Sequence, residues 1–326
     1  MKKFGLFLLL FLVLLLAVDR GAARLLDHVH DGVRLGQRDG LLVTYLGLPQ
    51  VPRLVVLGNS RTAVNVCPDS LGPHAFSLAH NGTTQVFQTG LLSILAQQHR
   101  LPETLLLHVD LDEYIHPTRP DDINLLKFYY GRAPLVTAYS REASWLEPLK
   151  HCLALYRHNG RLPGLAQNWL KQRRHPFPLN QGYEPSTPDP SDSLRTAYSL
   201  AKLNQEPGPL NRGQLRYLRD FVALCRQQHV RLICFTSPYY QRPRHVAATA
   251  ALVDSLLRRE HIPYLNYAAV PPDQPVAQLS AHIRYWRDAT HLNMRGVPLY
   301  SQVLARQVRA LRSQPEVVTH AGPGRP

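Results

Sequence analysis

Arg53-Leu54-Val55-Val56-Leu57-Gly58-Asn59-Ser60-Arg61 is the stretch on which the reading of this 326-residue chain turns. Residues 53–57 form a short run rich in β-branched and long aliphatic side chains, the pattern of a buried strand, and Gly58-Asn59 ends it. Ser60 therefore stands just past the carboxyl end of a strand, where open α/β sheets place their ligands. A second motif, Asp288-Ala289-Thr290-His291-Leu292, lies far downstream, just before a strong helix signal. A serine hydroxyl is a poor nucleophile until an imidazole takes its proton, and the imidazole needs a carboxylate to fix its tautomer. Alone, a serine after a strand is an ordinary turn residue and Asp-x-x-His an ordinary helix cap. Placed at opposite ends of a β/α series, they read as nucleophile, orienting acid and base.

Outward from Ser60, Ala75-Phe76-Ser77-Leu78 suggests a second strand. Asn81-Gly82 breaks it before Thr83 or Thr84 caps a helix reaching about Gln98, and Thr104 to Val109 is a third strand. Residues 117–209 hold much of the proline. There Trp145, Leu149, Cys152, Leu153 and Tyr156 fit one helical face, and Leu165, Trp169 and Gln172 another, with the remainder reading as ordered loop or lid. Asn211 is a candidate cap for a helix carrying Leu215, Leu218, Phe221, Val222 and Cys225. Strands follow at 231–235 and 263–267, separated by a helix marked by Val246, Ala250, Val253 and Leu257. A last helix starts near Pro298 with Leu299, Val303 and Leu311 inward. Strands alternating with helices imply a parallel sheet with right-handed crossovers, a three-layer α/β/α sandwich. The expected domain spans 45–312, with 117–209 as an insertion and 313–326 as a disordered tail.

Met1-Lys2-Lys3 precedes Phe4 to Val18, which carries no charge and ends at Asp19-Arg20. Fifteen residues match a signal-peptide core and fall short of the ~20 that span a bilayer comfortably. Residues 1–22 are accordingly expected to be a signal peptide or signal anchor, with the rest exported and either secreted or tethered on the periplasmic or extracellular side. Net charge is +14 and the sequence pI about 9.9, with basic residues spread along the chain. Such a surface favours phospholipid head groups or acidic glycans. Export and the lack of a nucleic-acid-binding motif exclude nucleic acid. Cys67, Cys152, Cys225 and Cys234 form no CxxC pair, and the last two sit in apolar patterns as small buried hydrophobes.

Gly58-Asn59-Ser60-Arg61 resembles the first block of the SGNH/GDSL hydrolase superfamily, and Asp288-Ala289-Thr290-His291-Leu292-Asn293-x-x-Gly296 resembles its last. The resemblance implies a flavodoxin-like five-stranded sheet, with Ser60 as nucleophile, His291 as base and Asp288 as its partner. It also implies an oxyanion hole from the backbone amides of Ser60 and Gly82, with no metal and no cofactor. Asn59 stands where the family has Asp. The third block, usually Gly-x-Asn-Asp, is replaced by His108-Val109-Asp110-Leu111-Asp112, which leaves Asn65 as a candidate third donor. The implied activity is that of an exported serine esterase or O-acyltransferase acting on an O-acylated polysaccharide or other envelope ester. The rival is a non-catalytic envelope-assembly or glycan-binding protein on the same fold. Asp110 and Asp112 also fit a carboxylate pair holding a divalent metal for glycosyl transfer, or a plain solvated strand end. His158, Arg173, Arg174 and His175 beside Trp169 offer a basic patch for an anionic polymer or lipid, or a solvated helix end.

Overall fold

The computed structural model describes residues 2–115, 120–174, 181–183, 185–203, 208–269 and 274–314. The apolar runs form β1 (Leu54–Leu57), β2 (Ala75–Ser77), β3 (Thr104–His108), β4 (Arg231–Thr236) and β5 (Tyr264–Asn266). All neighbours pair in parallel in the order β2-β1-β3-β4-β5, the expected flavodoxin-like order. The helices used below are α1 (Lys2–Gly32), α2 (Ser60–Asn65), α3 (Gln85–Gln97), α4 (Pro134–Ala143), α5 (Leu162–Arg174), α6 (Asp192–Leu203), α7 (Arg212–Gln227), α8 (Val246–Arg259) and α9 (Val297–Ser313).

Successive strand residues face opposite sides, so the central strands feed two cores. Val55, Leu57, Leu105 and Leu107 pack under α3, α7 and α8, whereas Leu54, Val56 and Leu106 pack with Trp286 and α9. Asn211 caps α7 as expected, its side chain accepting from Gln214 N at 3.3 Å. Of the three residues expected inward on α9, Val303 is buried and Leu311 packs against the core, whereas Leu299 faces out. Val297, Tyr300, Leu304 and Val308 are buried, while Leu299 is exposed. With Pro298 in the first turn, the phase is set by Val297, and residues three and four apart share its side.

Part of the 117–209 stretch is core rather than loop or lid. A 3-10 helix (Pro120–Tyr129) and α4 bury Ile123, Leu126, Phe128, Val136 and Tyr139 against α3. Gly90 permits this approach, since a Cβ there would lie 2.7 Å from Ile123 Cδ1 and 2.9 Å from Leu126 Cδ1. The single helix expected over 145–156 is broken into Glu147–Lys150 and a 3-10 turn, Ala154–His158. Of the residues expected on its one face, Trp145, Leu149 and Leu153 are 82%, 68% and 48% exposed.

The amino-terminal helix has two parts. Phe4 to Val18 are exposed throughout, and α1 is long and apolar enough to cross a membrane by length and composition. From Asp19 onward it is docked on the domain. The Asp19 carboxylate is buried and accepts from Ala154 N at 2.7 Å and Leu155 N at 3.0 Å. Asp27 receives Arg157 Nε at 2.8 Å, and Gln172 on α5 donates to Gly32 O at 2.8 Å. All four cysteines are free, with Cys225 and Cys234 buried as expected. His175 and residues 315–326 of the expected tail lie outside the described residues.

Candidate active site

β1 runs directly into the turn that carries Ser60. Gly58 has φ +152°, and a Cβ there would come within 2.6 Å of His108 Cβ on the adjacent strand, so only glycine fits. Its carbonyl is held by His80 N and Gln88 Nε2, both at 2.9 Å. Asn59 caps α2, its side-chain oxygen accepting from Arg61 N at 3.1 Å. Ser60 is the first residue of α2, so its amide has no carbonyl one turn earlier to serve.

The structure brings Ser60, His291 and Asp288 together. His291 Nε2 lies 2.8 Å from Ser60 Oγ, and Nδ1 lies 2.8 Å from Asp288 Oδ2. A proton on Nδ1, donated to Asp288, leaves Nε2 as acceptor for the serine hydroxyl. Asp288 also turns the loop that carries His291, since Oδ1 accepts from Thr290 N and His291 N, both at 2.9 Å. Burial opposes ionisation of Asp288, but the hydrogen bond and charge of His291 and these amides outweigh it, holding the carboxyl well below its ordinary value.

Asn65 is not a hole donor here. Its buried carboxamide is used at both ends, Nδ2 donating to Thr290 O at 3.0 Å and Oδ1 accepting from Leu292 N at 2.8 Å. It braces the loop of His291 against the helix of Ser60. Ser199 on α6 adds a second brace, its Oγ accepting from Ala289 N at 2.8 Å. The 117–209 stretch thus helps position the loop of His291, a contribution that no local signal around Ser199 announces.

Gly82 adopts φ +70° in the exposed turn after β2. Leu78 N and His80 N continue the ladder beyond β2, bonding Val56 O and Gly58 O at 2.9 Å each. That pairing carries the chain up alongside the nucleophile turn just before Gly82. Gly82 also borders a cavity of about 470 Å³, lined further by Gly36, His80, Leu125, Arg161 and Leu165.

Asp110 and Asp112 have internal partners in place of a cation. Asp110 receives Asn59 Nδ2 at 2.5 Å and faces Arg61 Nη1 at 3.4 Å; Asp112 meets His245 Nε2 at 2.8 Å and Tyr239 Oη at 3.2 Å. Arg61 is almost fully buried, stacks 3.8 Å above the Tyr239 ring and donates to Ser237 O at 2.8 Å. The pair therefore anchors a buried charge network beneath Ser60, rather than forming an open metal site or a solvated strand end. Although burial disfavours its charge, Arg61 holds the Asp110 carboxyl below the usual range; burial and the charge of Asp110 push Glu113 well above it. His108 lies in the same layer. Burial and the Arg61 charge push its imidazole down to about 3, and neither ring nitrogen has a hydrogen-bond partner. Arg61, Tyr239 and His245 were not singled out from sequence, although an arginine directly after a nucleophile turn is the kind of residue that must find a partner.

No protein-family model matches the chain, and no curated protein matches it. Among solved structures it is similar to a protein of Bacteroides fragilis NCTC 9343 provisionally described as an acylhydrolase, with 13% identity and a TM-score of 0.39 over 82% of this chain and 93% of that one. It is also similar to a GDSL-like lipase of Bacteroides thetaiotaomicron VPI-5482, with 11% identity and a TM-score of 0.39 over 83% of this chain and 94% of that one. Neither likeness carries an activity over. What the molecule itself presents is a three-layer α/β/α fold with a Ser–His–Asp set at the carboxyl edge of its sheet.

Proposed function

We propose that this chain is a membrane-tethered, exported serine esterase or O-acyltransferase acting on acyl esters of cell-envelope glycans. The observation that carries the reading is the continuous hydrogen-bonded line from Ser60 Oγ through His291 to Asp288. Ser60 attacks the ester carbonyl as its proton passes to His291 Nε2, and the sugar oxygen departs with that proton. Water or a second sugar hydroxyl then resolves the acyl-enzyme, activated by the same imidazole. The amides of Ser60 and Gly82 are the proposed oxyanion donors, each worth on the order of a hundredfold in rate. The apolar α1 and the net charge of +14 support a location at an anionic envelope surface.

A second reading, a non-catalytic envelope-assembly or glycan-binding protein, is favoured by one observation. Just past β3 stands Asp110, an acceptor bound by Asn59 and Arg61, where the resembled family supplies a donor. One experiment separates the two: turnover of p-nitrophenyl acetate and covalent labelling by a fluorophosphonate, using the full chain in detergent. Labelling and turnover that disappear in Ser60→Ala, the latter by at least about a thousandfold, support the enzyme. A folded chain that neither labels nor turns over supports the scaffold.

A further inference from the structure

We propose that the exposed face carrying Trp145, Leu149 and Leu153 is a second membrane contact, seated in the lipid interface where α1 leaves the bilayer. This rests on the reading of α1 as a membrane anchor. The three side chains recur every four residues along consecutive turns, closed by Glu147 N to Ser144 O at 3.1 Å, Lys150 N to Leu146 O at 3.0 Å and Leu153 N to Lys150 O at 3.2 Å. They lie within nine residues of chain on these turns, and at 82%, 68% and 48% exposure they stand open among the described residues. Large apolar side chains left together on a surface mark an interaction site.

Their position along α1 identifies the occupant. Exposed apolar residues run without a break from Phe4 to Val18, and the next residue begins the docking to this segment. Asp19 takes the amides of Ala154 and Leu155, and Arg20 Nη2 donates to Cys152 O at 2.9 Å. The patch is thus fixed at the level where the anchor's apolar stretch ends. That stretch is about 22 Å long at 1.5 Å per residue, short of the roughly 30 Å hydrocarbon core. A short span draws its flanks towards the bilayer, and here the flank is the domain face bearing Trp145. Tryptophan is enriched at that depth, and the exposed Arg24, one turn along α1 from Arg20, suits anionic head groups.

The test uses the full chain reconstituted in vesicles of phosphatidylethanolamine and phosphatidylglycerol, with or without brominated acyl chains. Trp145 is read as the fluorescence lost in Trp145→Phe. Trp169 is an internal control. It lies on α5, whose Gln172 bonds Gly32 O and Arg34 N, thirteen residues or about 20 Å further along from Asp19. The expected result is quenching of the Trp145 component by roughly half or more, with the signal remaining in Trp145→Phe unchanged between the two lipids. Flotation with the vesicles and resistance to alkaline extraction report the anchor separately. An anchored protein whose Trp145 is unquenched overturns the second contact alone. A protein that does not float overturns the anchor reading and this proposal with it.

Discussion

Asn59 Nδ2 donates to Asp110 Oδ2 at 2.5 Å, while Arg61 Nη1 faces the other oxygen of the same carboxylate at 3.4 Å. Residue 59 and the 108–112 segment are where the chain departs from the resembled SGNH pattern, and this hydrogen bond joins the two as one exchange. The carboxamide sits in the turn of Ser60 and the carboxylate just past the end of the neighbouring strand β3. An Asp at both positions would set two carboxylates face to face in a largely buried site.

Asn59→Asp alone is expected to destabilise the fold by about 2–3 kcal/mol, since it replaces a charge-assisted hydrogen bond with like-charge repulsion. Adding Asp110→Asn restores one donor and one acceptor and leaves Arg61 a carboxylate at 59. Urea unfolding of the two single variants and the double variant should show the double recovering at least half of the loss. Strict additivity would refute the exchange.

Asp288→Asn keeps the size of the side chain but presents an N–H where His291 Nδ1 needs an acceptor. The imidazole then loses the tautomer that leaves Nε2 free for Ser60, and kcat is expected to fall by about 10³–10⁴-fold with little change in KM. Ester hydrolysis at saturating substrate checks this, with circular dichroism to confirm the fold.

Asn65→Ala strands two backbone groups, the part-buried Thr290 O and the buried Leu292 N. A cost of about 2–4 kcal/mol in stability is expected. Because the brace aligns the base loop, kcat should fall tenfold or more even at a temperature where the variant is folded. Full activity in a folded Asn65→Ala would show that the loop holds its place without this residue.

The buried His108 gives the pH dependence a sign. Its folded value, about 3, lies below the ordinary 6.5, so the unfolded chain takes up a proton first as pH falls. The resulting stability is fully present above about pH 6.5 and drains away towards pH 3, by about 2 kcal/mol between pH 7 and 5. His108→Leu should lose correspondingly less over that interval than the wild type, measured by urea unfolding at both pH values. Equal losses would mean that His108 is not held neutral.

The strands, their parallel α/β arrangement and the set Ser60, Asp288 and His291 were legible in the sequence because their signals are local. An apolar run, a Gly-Asn break and an Asp-x-x-His turn each act within a few residues, and the alternation of strands with helices restricts how they assemble. The outward turn of Leu299 on α9 and the burial of Ile123 and Tyr139 were not legible, since periodicity marks an apolar face without saying what meets it. Only the tertiary structure made Asn65 a brace across 225 residues, paired Asn59 with Asp110 across 51, and docked Asp19 under Ala154 across 135. The physical reason is common to all three. A buried polar group must find a partner wherever the fold supplies one, and that choice depends on three-dimensional neighbours rather than on the residues beside it in the chain.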